Sequence, residues 1–336
     1  MTLQLELSFG IAYLLTAIIG FFLVPWLRSI KAGQSIKRDG PTWHMSKDGT
    51  PTMGGLMFIG ACVIVCFTVG IPAIRAKYYG HLFCLLFALV YGAIGFLDDY
   101  EKLRHKENLG LRAWQKSLLQ LLAAVLFIYL LKRFGYIHLD HIYIPFWNKT
   151  VSIPEVLYVL LAAFIIVGTV NAVNLTDGVD GLASGASIPV CLFFTIVPII
   201  WAKQDYSVGV FAAALAGGLL GFLLYNFNPA KVFMGDTGSL FLGGAIAAMA
   251  FATDMPLILV TLGILYIIEA MSDIIQVGYF KATHGKRVFR MAPFHHHLEM
   301  GGWTGKKWSE KELFTLYVVV SIVFAVISYF GIRARF

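Results

Sequence analysis

The chain has 336 residues, of which 58% are hydrophobic and 13% charged, with a mean hydropathy of +0.76 and a formal net charge of +7. Soluble domains carry about 25% charged residues, so a water-soluble globule, a disordered chain and a disulfide-stapled secreted domain are excluded. The apolar runs are continuous rather than alternating, which selects membrane-spanning helices over a β-barrel.

Ten spans follow in chain order: Leu7–Leu27, Met53–Ile71, Tyr79–Leu97, Trp114–Leu131, Val156–Val173, Leu182–Trp201, Val208–Tyr225, Ser239–Thr253, Leu257–Met271 and Leu313–Ile332. The first lacks a basic leader and is long enough to cross, since a span needs about 20 residues, so it reads as a span and not as a cleavable signal. The eighth is short and rich in Gly and Ala, a composition that suits close packing deep in a bundle. Between spans four and five, Tyr136–Trp147 alternates apolar and polar residues, Asn148-Lys149 offers a turn and Thr150–Ile153 follows; the pattern predicts a short external β-hairpin. The four cysteines, Cys62, Cys66, Cys84 and Cys191, all fall inside apolar runs without CxxC or Cys/His spacing, and read as small buried hydrophobes.

Loop charge sets the orientation. With the Arg28–Thr52 loop and every second loop after it on one side, that side holds 18 of the 26 lysines and arginines, counting Lys116 at the edge of span four. The basic side is expected to be cytoplasmic, which places both termini outside, and it accounts for the positive net charge without nucleic acid. Trp26, Trp114 and Trp201 stand at span ends, as interfacial anchors do. The expected fold is thus an all-α polytopic membrane protein of about ten transmembrane helices, with one integral membrane domain over residues 1–336.

The polar residues collect at the same side. Lys47-Asp48-Gly49-Thr50-Pro51-Thr52-Met53-Gly54-Gly55 leads into span two; Pro51 and the glycines make a tight entry, and Lys47 and Thr52 could reach a phosphate. Asp98-Asp99 closes span three. Adjacent residues on a helix lie about 100° apart, so both carboxylates cannot point one way; one could bind a metal while the other acts as base or orients a ligand. Acids at a helix C-terminus oppose the dipole, so stability does not ask for them there.

Asn171, Asn174, Asp177 and Asp180 join spans five and six, with glycines at 178 and 181 that suggest unwinding or close approach of a ligand to backbone. The spacing is not that of an EF-hand. Asn226, Asn228, Phe233 and Asp236 lie between spans seven and eight. Asp236 sits between glycines just before a helix, where a hard cation such as Mg²⁺ could be shared with phosphate oxygens. Phe233 could stack on a base or fill core. His295-His296-His297 lie in the last large loop. Consecutive residues cannot converge on zinc from regular structure and no HExxH occurs, so donors to a pyrophosphate or sugar are the better reading.

Ionisable groups at membrane depth are costly and usually functional. Separated carboxylates, lysines and glycine amides at one face point to metal-assisted phosphoryl chemistry on an anionic substrate. A secondary transporter is the rival; its site would lie near the midplane, and Glu269 and Asp273 are the residues it would use. An intramembrane metalloprotease lacks its zinc motif.

Taken together, GTPTMGG (Gly49–Gly55), DDYEK (Asp98–Lys102), NAVNLTDGVDGLA (Asn171–Ala183), FMGDTGS (Phe233–Ser239) and PFHHHLE (Pro293–Glu299) resemble, in order and spacing, the phospho-N-acetylmuramoyl-pentapeptide transferases, a branch of the polyprenyl-phosphate N-acetylhexosamine-1-phosphate transferases. The resemblance covers essentially the whole chain, with no departure at any motif position. It implies transfer of phospho-N-acetylmuramoyl-pentapeptide from its UDP-linked form to undecaprenyl phosphate, giving lipid I and UMP, with Mg²⁺, at the cytoplasmic face of a bacterial inner membrane. It also implies a homodimer. By the same resemblance Asp236 binds Mg²⁺, Asp98 deprotonates or positions the lipid phosphate, and Asp99 shares metal or phosphate orientation. Lys47, Asn174, Asp177, Asp180, Asn226 and Phe233 form the nucleotide pocket, and His295, His296, His297, Lys102 and Lys116 contact phosphate or the sugar side.

Overall fold

A computed structural model describes residues 1–30, 47, 49–105, 110–200 and 205–335. Most of the first basic loop (31–46 and 48), residues 106–109 and the expected anchor Trp201 lie outside the described residues. Each of the ten apolar segments is helical at its centre. The helices are α1 Thr2–Ser29, α2 Leu56–Thr68, α3 Ile71–Arg75, α4 Gly80–His105, α5 Ala113–Arg133, α6 Glu155–Thr176, α7 Leu182–Ile200, α8 Ser207–Asn226, α9 Gly235–Ala252, α10 Leu259–Leu262, α11 Ile264–Ala282, α12 Phe294–Glu299 and α13 Glu310–Ile332. Trp26 and Trp114 are exposed in the end turns of α1 and α5, where anchors belong.

Among the described residues, eight helices are long and apolar enough to cross a membrane, or nine if one bent pair counts as a single span. Two of the ten expected spans therefore need correction. The second is a helix of 13 residues, about 20 Å long against a hydrocarbon core of about 30 Å. The ninth is not one straight helix ending at Met271. A turn at Pro256–Ile258 and the short α10 meet α11 at an 80° bend, and α11 runs on to Ala282. Gly263 stands at the bend, capping both pieces. Hydropathy counts composition and is blind to direction, so an apolar run with one glycine reads as continuous.

The hairpin is present as β1 His141–Ile144 and β2 Lys149–Ser152, antiparallel with His141 opposite Ser152 and Ile144 opposite Lys149. Residues 145–148 make the turn, wider than the expected Asn148-Lys149 pair, with Phe146 and Asn148 at positive φ. It is tied to the chain end: the Phe146 N–H donates to the Gly331 carbonyl at 2.7 Å, and Arg335 lies over the Tyr143 ring.

The bundle is organised around α9, which is buried along most of its length as its Gly/Ala composition predicts. It packs most intimately on α4 and next on α6. A Cβ on Gly243 would lie 2.6 Å from the Val170 Cα of α6, and one on Gly95 of α4 would overlap the Asp236 carbonyl. These contacts are backbone against backbone, which only small residues permit. All four cysteines are free and buried.

Candidate active site

The α4–α9 contact brings three carboxylates together. Asp98 and Asp99 lie within α4, which runs on to His105 and so does not end at the acid pair as the sequence suggests, and Asp236 stands in the first turn of α9. One oxygen from each of the three carboxylates falls within 4.8 Å of the other two, and among the described residues this is the only grouping of three His, Cys, Asp or Glu side chains able to hold a metal ion. Asp98 and Asp99 diverge as neighbours on a helix must. Both oxygens of Asp99 turn to the N-terminus of α9. Oδ2 accepts from the Thr237 N–H at 2.8 Å and its hydroxyl at 2.7 Å, and Oδ1 accepts from the Asp236 N–H at 3.2 Å. An acid from another helix thus satisfies amides that α9 cannot bond internally, at the end where the dipole favours negative charge. Asp98 accepts from the Leu111 N–H at 3.0 Å and pairs with Lys102 at 2.6 Å.

Asp236 is the junction. Its Oδ2 meets Lys116 at 2.8 Å and Lys102 at 3.0 Å, and its Oδ1 accepts from the Asn174 amide at 2.9 Å. Three acids and two lysines from α4, α5 and α9 therefore form one half-buried network, with Asn174 of α6 closing it. The donor set is oxygen only, without sulfur or imidazole. That suits a hard cation that shares its shell with phosphate oxygens. Asp99 would contribute through Oδ1, since Oδ2 already takes two bonds.

The sequence-expected nucleotide residues split into two groups. Lys47 lies 2.7 Å from both Asp180 and Glu310. Asp180 in turn accepts from the Asn228 side chain at 3.1 Å and the Ala230 N–H at 2.8 Å. A cleft of about 280 Å³ beside Glu310 is lined by Asn228, Glu299, Trp308, Ser309 and Lys311. Asn226, by contrast, is buried and spends its amide on the fold, accepting from the Gly181 N–H at 3.0 Å and donating to the Val232 carbonyl at 2.9 Å. Phe233 is half-buried in an extended segment zipped to the entry of α2. Its N–H donates to the Pro51 carbonyl and its carbonyl accepts from the Gly54 N–H, both at 2.8 Å. This pairing sets the buried Thr52 beside Gly235, where an added Cβ would stand 2.6 Å from Thr52 Oγ1 and 2.6 Å from Asp99 Oδ2. Gly235 also has φ +70°, so both space and backbone require glycine there.

Asp177 follows α6. Burial, and then the carboxylates of Asp236, Asp180 and Asp99, push its carboxyl well above the usual range. The folded chain keeps a proton that the unfolded chain releases near pH 4, so this group's contribution to stability falls as pH rises from there through the raised native value. Asp177→Asn is expected to raise the unfolding temperature of the metal-free protein, with a gain larger at pH 8 than at pH 5; thermal unfolding in detergent at the two pH values checks it.

The three histidines sit on α12 and point three ways. His295 is fully buried against Glu269 of α11. His296 faces Glu299 at 2.6 Å. His297 accepts from the Arg290 N–H at 3.1 Å and is enclosed by Phe289, Phe294 and Trp303; burial and the Arg290 cation hold its ring below the usual imidazole range. His295 is placed at the site, its Nε2 against Gly178 beside Asp177.

One acid escaped the sequence reading and another was read for a different role. Glu310 looks like an ordinary first-turn acid of α13, where Ser309 and Glu312 form a capping box. Glu269 stood out, with Asp273, only as a residue that a transporter would use. Asn171 proves to be paired with Gln120 of α5, donating at 2.7 Å.

The profile of the family described as Glycosyl transferase family 4 matches residues 81–254, and the phospho-N-acetylmuramoyl-pentapeptide-transferase signature 1 matches residues 47–59. The chain is 46% identical over 325 residues to the phospho-N-acetylmuramoyl-pentapeptide-transferase of Caldanaerobacter subterraneus subsp. tengcongensis, covering 96% of each chain. It is 44% identical over 333 residues to the protein of that name from Clostridium botulinum strain Alaska E43, covering 98% of this chain and 97% of the other. It is likewise 44% identical to that from Listeria monocytogenes, covering 96% of each.

Proposed function

This chain belongs to the phospho-N-acetylmuramoyl-pentapeptide-transferase family, membrane enzymes of peptidoglycan synthesis, and from that membership we propose that it transfers phospho-N-acetylmuramoyl-pentapeptide from the UDP-linked form to undecaprenyl phosphate, yielding lipid I and UMP. The reading takes residues 1–336 as one transferase domain in a bacterial inner membrane. Both termini are outside, the site faces the cytoplasm and the chain works as a homodimer. The observation that carries it is the convergence of Asp98, Asp99, Asp236, Lys102 and Lys116 within one network.

Asp236, with Asp98 and Asp99 beside it, would hold Mg²⁺, which when bound supplies Lewis-acid polarisation of the phosphoryl oxygens. Lys102 and Lys116, now spent on Asp236, turn to the pyrophosphate and balance its charge. Asp98 positions the lipid phosphate. A phosphate monoester has its second pKa near 6, so the acceptor is largely dianionic at neutral pH and attacks the sugar-linked phosphorus in line without a covalent relay. Phe233 stacks on the uracil, Lys47 and Asp180 contact its edge, and Asn174 and Asp177 line the path to the phosphates. Thr52 lies within reach of the same phosphates, His295 and His296 meet the sugar-phosphate side, and Asn226 and His297 shape the pocket from behind.

Purified protein in detergent, given both substrates and Mg²⁺, is expected to release UMP; a transporter would yield none. Incubation with the UDP-linked substrate alone is expected to leave the enzyme unmodified, and a trapped phospho-aspartate would overturn direct attack.

A further inference from the structure

Glu269 has no role in that chemistry, yet it is among the most enclosed acids of the chain. It lies within α11, has no exposed surface and no lysine or arginine pairs with it among the described residues. Three donors converge on it instead. The Tyr317 hydroxyl of α13 donates to Oε1. On Oε2, the His295 backbone N–H lies at 3.3 Å and the His295 ring Nδ1 at 3.1 Å. A carboxylate only accepts, so Nδ1 carries a hydrogen, and in the neutral ring the lone pair then lies on Nε2. That Nε2 is buried and has no hydrogen-bond partner among the described residues. It abuts Gly178 so closely that a Cβ there would overlap it. The ring's other neighbour is the His296 ring, with centroids 4.1 Å apart.

We propose that Glu269 and Tyr317 are positioning residues for the transfer reaction, acting through His295: they lock its ring in the Nδ1–H tautomer with Nε2 set against the 177–180 turn. The proposal rests on the reading of that turn as part of the nucleotide-sugar site. Most buried polar atoms are hydrogen-bonded, so an unpartnered one calls for an explanation, and the turn that Nε2 faces supplies one. The turn bears Asp177 and Asp180, so whatever engages it is felt at His295 Nε2. Glu269 is also placed to stabilise the imidazolium if Nε2 takes up a proton there. The acid works as an orienting partner one residue removed from the ligand, as outer carboxylates do for metal-bound histidines.

The test is a double-mutant cycle read as UMP release, varying the UDP-linked substrate at saturating polyprenyl phosphate. Glu269→Gln keeps size and shape and is expected to lower kcat/KM for the UDP-linked substrate about tenfold, while a second series, varying the lipid at saturating UDP-linked substrate, is expected to show its KM unchanged. In a His295→Ala background the same change is expected to cost less than about twofold, because its route of action is gone. Tyr317→Phe, which removes one donor and no volume, is expected to show the same dependence with a smaller loss, and serves if Glu269→Gln does not fold. Equal losses with and without His295 would make Glu269 a structural residue only, and full activity in His295→Ala would equally overturn the proposal. Wild-type protein that releases no UMP would instead remove the transferase reading itself.

Discussion

Replacing Asp236 by alanine is expected to reduce metal-dependent UMP release by about a thousandfold or more, with the protein still folded in the membrane. The side chain holds Lys102, Lys116 and Asn174 around one carboxylate. Removing it takes away the one oxygen pair that the lysines and a shared cation both need. The fold does not depend on it in the same way. The N-terminus of α9 is held through the backbone amides of 236 and 237 and the Thr237 hydroxyl, all donating to Asp99, and alanine keeps those amides. Lys102 keeps Asp98 at 2.6 Å. Lys116 loses its carboxylate partner, so the unfolding temperature is expected to fall, but by far less than the activity. Thermal unfolding and single-time-point UMP release on the same preparation separate the two effects. Near-normal turnover would remove the metal assignment.

Gly95→Ala is expected to cost both stability and activity. The added methyl would overlap the Asp236 carbonyl and stand 2.7 Å from the Thr237 nitrogen. Neither contact is the movable tip of a side chain, so α4 and α9 must separate. Overpacking of this kind costs about 1–3 kcal/mol. The separation also acts on the chemistry, because Asp98 and Asp99 lie three and four residues beyond Gly95 on the same face of α4. Moving that face withdraws both acids from Asp236 and breaks the bonds from Asp99 to α9. Activity per folded molecule is expected to fall about a hundredfold, with a lower unfolding temperature. Gly10→Ala is the control: nothing lies within 4 Å of a Cβ there, so the change should be neutral or slightly stabilising. If Gly95→Ala behaves like Gly10→Ala, the account of the α4–α9 contact is wrong.

The site was legible to different depths. Asp98, Asp99, Asp236 and Asn174 stood out as polar residues at the ends of apolar runs, which have few uses other than function, whereas Lys102 and Lys116 entered only through the family resemblance. The acids' division of labour was not legible. That Asp99 spends both oxygens on the start of α9 while Asp98 faces Leu111 depends on how α4 is rotated against α9, and no local pattern encodes that angle. Glu310 was hidden because an acid in the first turn of a helix already has a sufficient explanation in the dipole.

By itself the amino-acid sequence determined the apolar segments, the hairpin and the set of polar residues gathered toward one end of the bundle. Hydropathy is a property of short windows, and a chain that runs back and forth in spans must return every second connection to the same side. Only the tertiary structure decided the 80° turn at Gly263, the shortness of α2, the pairing of Glu269 with His295 across 26 residues and of Lys47 with Glu310 across 263. Each of these depends on side-chain direction about a helix axis or on where one helix meets another, and those are set by close packing between residues remote in the chain.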